Sequence, residues 1–179
     1  MQSNFSFMLM AFEFRLRDRR YPPVQILREA GVHNGMTVLD FGCGPGGFSI
    51  AASRLVGDQG RVYALDIQPL ALEFARRAAK KENLLNISIL TGDEINGIPE
   101  ASVEMVLFYD ILHDFAETVE VLWKIRRILK RNGILSVSDH HLQETAILSK
   151  ITDSGLFIFS GRCQRSLEFA LVDQQTVIE

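Results

Sequence analysis

The stretch from Thr37 to Ser49, T-V-L-D-F-G-C-G-P-G-G-F-S, constrains this chain more than any other. Val38, Leu39 and Phe41 form a short apolar run broken only by Asp40, and Gly42, Gly44, Gly46 and Gly47 follow at once. Phe48 to Val56 then carries a helical pattern. A strand that enters a glycine turn and leaves as a helix is the entry to a nucleotide site. Glycines let backbone amides approach a ligand that a Cβ would block, and the helix N-terminus points at it.

The remaining chain supplies the scaffold such a turn needs. Phe5, Met8, Leu9, Phe12 and Leu16 recur at helical spacing and predict an amphipathic first helix, with Arg15, Arg19 and Arg20 as a solvated end and Pro22-Pro23 as its stop. Its apolar stripe reads as packing against the domain body, with a lid over a substrate pocket as the other reading. A short helix is expected over Val24–Ala30, and Gly31 to Gly35 turns into the first strand. Strands follow at Arg61–Asp66, Ile87–Thr91, Val103–Phe108 and Ile134–Ser138. Helices are expected at Pro69–Glu82, Glu117–Lys130, closed by Asn132-Gly133, and Thr145–Ser154. Leu156–Ser160 and Ser166–Val172 are strand-like runs whose short connection, Gly161 to Arg165, implies an antiparallel hairpin. Alternating strands and helices finished by a hairpin describe an α/β sandwich on a mostly parallel sheet with one antiparallel strand.

Composition narrows the partners. With 179 residues, 47% of them hydrophobic, the chain suits one domain and argues against a separate substrate domain. A net charge of −3 gives no electrostatic case for nucleic acid or an anionic membrane. No membrane span is expected, because no apolar run is long enough, and Glu13, Arg15 and Arg17 interrupt the N-terminal run too soon for a signal peptide. Cys43 and Cys163 provide no disulfide framework, so a reducing cytoplasm is the expected compartment.

Gly42, Gly44 and Gly47 also satisfy the spacing of a dinucleotide-binding turn, and an acid ending the second strand, Asp66, suits a ribose in either case. Asp40 separates the two readings. It stands two positions before the first glycine, where dinucleotide strands keep an apolar residue, and an acid there suits a ligand bearing an ammonium group. V-L-D-F-G-C-G-P-G resembles the first motif of class I S-adenosylmethionine-dependent methyltransferases, and the resemblance spans about residues 24 to 172. It implies a three-layer αβα Rossmann-like sandwich with strand order 3-2-1-4-5-7-6 and strand seven antiparallel. The chain then reads as a single domain, residues 1–179, with a helical extension over 1–23 and a catalytic core over 24–172.

The resemblance also implies roles. Asp40 acts near the methionine ammonium, while Gly42, Cys43 and Gly44 let the backbone lie against the methionyl and ribose portion. Asp66 takes both ribose hydroxyls and Ile67 packs on the adenine. Asp93 receives the adenine amine, Glu94 offers a backbone amide, and Tyr109 lines the methionine end through its backbone. S-adenosylmethionine is the implied cofactor, S-adenosylhomocysteine its product, and a small molecule the implied methyl acceptor. L-F-Y-D-I-L-H-D and L-K-R-N-G-I-L-S-V-S-D-H are similar to the ubiquinone/menaquinone-biosynthesis branch. The Asn/Asp-Pro-Pro-aromatic signature of amino-group methylation in nucleic acids and proteins is replaced by Tyr109-Asp110-Ile111-Leu112.

Acids and imidazoles cluster after strand four (Asp110, His113, Asp114) and strand five (Asp139, His140, His141). A histidine there can take a proton from an acceptor, with His113 and His140 the first choices and Asp110 beside them. Their spacing matches no defined metal motif. Two other readings stay open: a non-catalytic partner subunit that keeps the cofactor fold, and a nicotinamide-dependent oxidoreductase.

Overall fold

The computed structural model describes residues 17–173. The helix expected from Phe5 to Leu16 lies outside them; residues 17–20 are helical. In chain order the elements are α1 (Pro23–Glu29), β1 (Thr37–Phe41), α2 (Gly47–Val56), β2 (Arg61–Asp66), α3 (Pro69–Lys81), β3 (Ile87–Thr91) and β4 (Val103–Tyr109). Then come α4 (Val119–Ile128), β5 (Leu129–Ser138), α5 (Glu144–Thr152), β6 (Phe157–Arg162) and β7 (Leu167–Leu171). Seven strands form one sheet in the order β3-β2-β1-β4-β5-β7-β6, parallel except that β7 runs against both neighbours.

The near-continuous apolar run of β4 has its reason in this arrangement. Met105, Leu107 and Tyr109 pack on one face of the sheet with Ala51, Ala52 and Val56 of α2. Val106 and Phe108 pack on the other with Leu122 and Ile125 of α4 and Ile151 of α5. Both faces of the central strand are covered, so period-two alternation in polarity disappears.

The largest boundary difference from the sequence expectation lies between α4 and β5. The helix expected over Glu117–Lys130 ends at Ile128, and Leu129 to Gly133, including the Asn132-Gly133 pair, belong to β5. The helix stops because the amides of Ala101 and Ser102 take the carbonyls of Arg127 and Ile128, and because Leu129 pairs with Val103 across the sheet. Long-range pairing overrides a local helical pattern here. No helix among the described residues is long and apolar enough to cross a membrane.

Candidate active site

The strand order runs outward in one direction from β1 and in the other from β4, so the crevice between their C-terminal ends is the switch point where open α/β sheets bind ligands. Asp40 to Gly44 arrive there from β1, Asp66 and Ile67 from β2, and Tyr109 and Asp110 from β4.

The glycine turn folds onto β2. Gly42 and Cys43 both donate their N–H groups to the Leu65 carbonyl, at 2.8 and 2.9 Å, and Gly44 donates to Asp66 Oδ2 at 2.8 Å. The left-handed φ of Gly42 (78°) makes this possible, and a Cβ there would come within 2.2 Å of Ile111 Cδ1. The expected amide cradle is therefore corrected. These amides are satisfied internally, because the turn must be tied to β2 to hold its shape.

Asp40 is only 3% exposed, deeper than a position merely beside the turn. Its carboxylate accepts a short hydrogen bond from Ser49 Oγ at the first turn of α2. Burial pushes its pKa up to about 6, against hydrogen bonds from Ser49 that pull it down. Cys43, also buried, is a thiol whose pKa is pushed well above its ordinary value by burial and by Asp40, so it is inert as a nucleophile.

Asp66 is braced on both oxygens, Oδ2 by Gly44 N–H and Oδ1 by Gln68 N–H, each at 2.8 Å. Each oxygen keeps a further lone pair for another donor. Ile67 beside it stands 85% exposed and lies over Gly92, where a Cβ would meet its Cγ2 at 2.7 Å. Asp93 follows in an exposed 3-10 turn, Gly92–Gly97, capped by Glu94, whose Oε2 accepts from Thr91 N–H and Oγ1. The fold thus brings Asp66, Ile67 and Asp93 to one side of the turn, with Glu94's side chain spent on the cap.

On the other side, a cavity of about 640 Å³ opens between residues 17–21, the ends of β4 and β5, and the β6–β7 connection. Tyr109 contributes its ring, edge-on to Phe48 at 4.9 Å, while its hydroxyl is held 2.7 Å from Ser136 Oγ. Ser136 and Ser166 in turn donate to Oε1 of Glu168, a buried acid whose Oε2 has no partner among the described residues and whose pKa burial raises.

Asp110 has a left-handed φ of 53°, unusual for a residue with a side chain, fixed by its N–H to the Ser138 carbonyl at 2.7 Å. Its Oδ1 lies 2.7 Å from His140 Nδ1, and its Oδ2 pairs with Arg17. An ionised carboxylate only accepts, so Nδ1 carries the proton and His140 Nε2 is left as an acceptor. His140 lines the cavity.

His113 has a different setting. Its Nδ1 lies 2.9 Å from Oδ2 of the buried Asp139, which also accepts the His113 N–H, and it is not among the cavity's lining residues. Although burial pushes Asp139 up, the hydrogen bonds from His113 and His141 outweigh it and hold its carboxyl below its ordinary range. The ring of His141 bridges the two, 4.3 Å from His113 and 3.8 Å from His140. Among the described residues no group of three His, Cys, Asp or Glu side chains converges as a metal site.

Arg17, Tyr21, Phe48 and Arg165 of the cavity wall were not foreseen in the sequence. They come from separate segments, and no local pattern marks them.

Residues 32–169 match the family model for the methyltransferase domain. Aklanonic acid methyltransferase DauC of Streptomyces sp. strain C5 is 42% identical over 101 residues, which cover 55% of this chain and 46% of that protein. The ubiquinone/menaquinone biosynthesis C-methyltransferase UbiE of Blochmanniella pennsylvanica is 32% identical over 124 residues, covering 68% of this chain and 49% of that one. The chain spans about half the length of these two relatives. A SAM-dependent methyltransferase from Aquifex aeolicus shares the fold with a TM-score of 0.78 at 23% identity, over 87% of this chain and 93% of the other. Strand order, the acid within the glycine turn and the match over residues 32–169 agree: the chain belongs to the class I S-adenosylmethionine-dependent methyltransferases.

Proposed function

We propose that the chain works as a single catalytic domain, its core over residues 24–172, that binds S-adenosylmethionine at the C-terminal ends of β1 and β2, beside the switch point, and methylates a small molecule held in the adjoining cavity. The observation that carries this reading is the way the glycine turn spends its amides. With Gly42, Cys43 and Gly44 N–H groups committed to Leu65 and Asp66, and with Asp40 against the start of α2, the site offers acceptors to a cation. A pyrophosphate there would face the Asp40 carboxylate, so a nicotinamide dinucleotide fits poorly. S-adenosylmethionine fits: Asp40 and the turn would hold its methionine end, Asp66 its ribose, and Ile67 and Asp93 its adenine.

When bound, this cofactor supplies an electrophilic methyl carbon on a sulfonium that leaves as a neutral thioether, so no protein acid has to protonate the leaving group. The chain's residues align the acceptor in line, exclude water and remove its proton. His140 Nε2 would take the proton that the acceptor gives up on methylation. Asp110 holds the imidazole in the required tautomer and offsets the charge it gains. Calorimetry should show one S-adenosylmethionine or S-adenosylhomocysteine per chain, and label should pass from methyl-labelled cofactor to a small molecule in a substrate screen. Stronger binding of reduced nicotinamide dinucleotide would defeat the reading; binding without transfer across a broad panel would favour a non-catalytic subunit.

Asp40 adds a pH signature. An ammonium beside it favours the charged form, so binding lowers its pKa and releases a proton. Affinity for S-adenosylhomocysteine should be full above pH 6, where Asp40 is already ionised, and fall by up to about tenfold per unit below it. The same residue strains the ligand-free protein. A folded pKa raised from 3.8 to about 6 gives stability that is full below pH 3.8 and lost as pH rises through 6. The loss is on the order of 3 kcal/mol. Asp40→Asn should therefore raise the Tm of ligand-free protein at pH 8 while abolishing the pH dependence of binding. Unchanged Tm together with an unchanged binding profile would exclude this role.

A further inference from the structure

The cavity beside the glycine turn carries a cation whose charge nothing in the described chain neutralises. Arg17 on its wall is spent, paired with both Asp18 and Asp110. Asp110, the one acid on the wall, is in turn shared between Arg17 and His140. Arg165, from the β6–β7 connection, makes no ion pair with any carboxylate among the described residues; its guanidinium carbon stands 3.4 Å from the centre of the Tyr21 ring. Arg20 approaches the same ring, and hydrogen bonds from both arginines lower the Tyr21 pKa. A guanidinium carries five N–H donors, and those of Arg165 not engaged with Tyr21 can match a carboxylate with two parallel hydrogen bonds.

The rest of the wall combines Phe48 and Tyr109, set edge-on to each other, Tyr21 and Ile26 with the polar residues Ser138 and Gln164. Such walls favour flat ring systems. At about 640 Å³ the cavity lies within the usual range for small-molecule sites and has room for fused rings. Resting on the methyltransferase reading above, we infer that the acceptor is a planar aromatic carboxylate, its ring system against the Phe48–Tyr109 side of the wall and its carboxylate on Arg165. The carboxylate is then anchored at the β6–β7 end and the ring system reaches toward His140, the group that would take the acceptor's proton.

The test uses 3-hydroxy-2-naphthoate and its neutral carboxamide as probes, titrated into the full chain with and without saturating S-adenosylhomocysteine. The acid should bind at least about tenfold more tightly than the amide. Arg165→Gln should bring the acid down to the level of the amide while leaving the amide and S-adenosylhomocysteine unchanged. Arg165→Lys, which keeps a point charge but loses the fork, should recover part of the difference. Equal affinity for acid and amide, or failure of the acid to bind, overturns the inference, as does an equal loss of both probes in Arg165→Gln. Weakened S-adenosylhomocysteine in that variant also overturns it, since the guanidinium would then serve the cofactor's own carboxylate. If S-adenosylhomocysteine does not bind the unsubstituted chain, the methyltransferase reading fails, and the acid-to-amide ratio without it still decides this one.

Discussion

Asp66→Ala is expected to weaken S-adenosylhomocysteine binding by at least about a hundredfold. A ribose diol on the carboxylate makes two charge-assisted hydrogen bonds, each contributing roughly 1.5–3 kcal/mol, and about 2.7 kcal/mol already corresponds to a hundredfold in Kd. The substitution also leaves the Gly44 and Gln68 amides without their acceptor, so the turn loses the brace that ties it to β2. That second effect separates ligand loss from general damage. Asp66→Asn keeps one carbonyl acceptor, can still hold one of the two amides, and should retain an intermediate affinity at nearly the original Tm. Isothermal calorimetry on both variants, with thermal melts in parallel, checks the ordering. An Asp66→Ala protein that binds within about threefold of the original would remove Asp66 from the cofactor site and take the crevice assignment with it.

The strand-end acids were legible in the sequence because their positions follow from local rules. Asp66 ends an alternating apolar run and Asp93 follows the next, so once those runs are strands the acids must gather at one edge of a parallel sheet. What the turn does with its amides was not legible. Their acceptor, the Leu65 carbonyl, lies on another strand, and only the register of β1 against β2 brings it there. The same limit explains the helix expected to run to Lys130: its hydrophobic spacing continues past Ile128, but pairing of Leu129 with Val103 decides the backbone. The histidines are the sharpest case. D-H-H after β5 and I-L-H-D after β4 give no means of telling which imidazole faces a cavity. That is decided by which aspartate stands behind each ring, and Asp110 reaches His140 only because its backbone adopts a left-handed conformation at the end of β4.

His140→Gln is expected to lower kcat by about 10²- to 10⁴-fold for an acceptor that must lose a proton, the usual contribution of a positioned general base. Binding of S-adenosylhomocysteine should stay within about twofold, because His140 lies on the cavity wall, paired with Asp110, and is not among the residues proposed to hold the cofactor. Asp110→Asn tests the dyad itself. Asparagine tolerates the left-handed backbone at this position, so the fold should survive, but its amide no longer fixes the Nδ1 proton and no longer pairs with Arg17. Its kcat should fall by about tenfold or more, less than for loss of the imidazole. His113→Gln is the control: His113 braces Asp139 and neither lines the cavity, so kcat should change by no more than about threefold while the Tm drops. An acceptor already ionised at the assay pH should be nearly insensitive to His140→Gln, since it has no proton to give. Equal losses in His113→Gln and His140→Gln, or a His140→Gln protein that turns over a protonated acceptor at the original rate, would show that proton removal does not pass through this dyad.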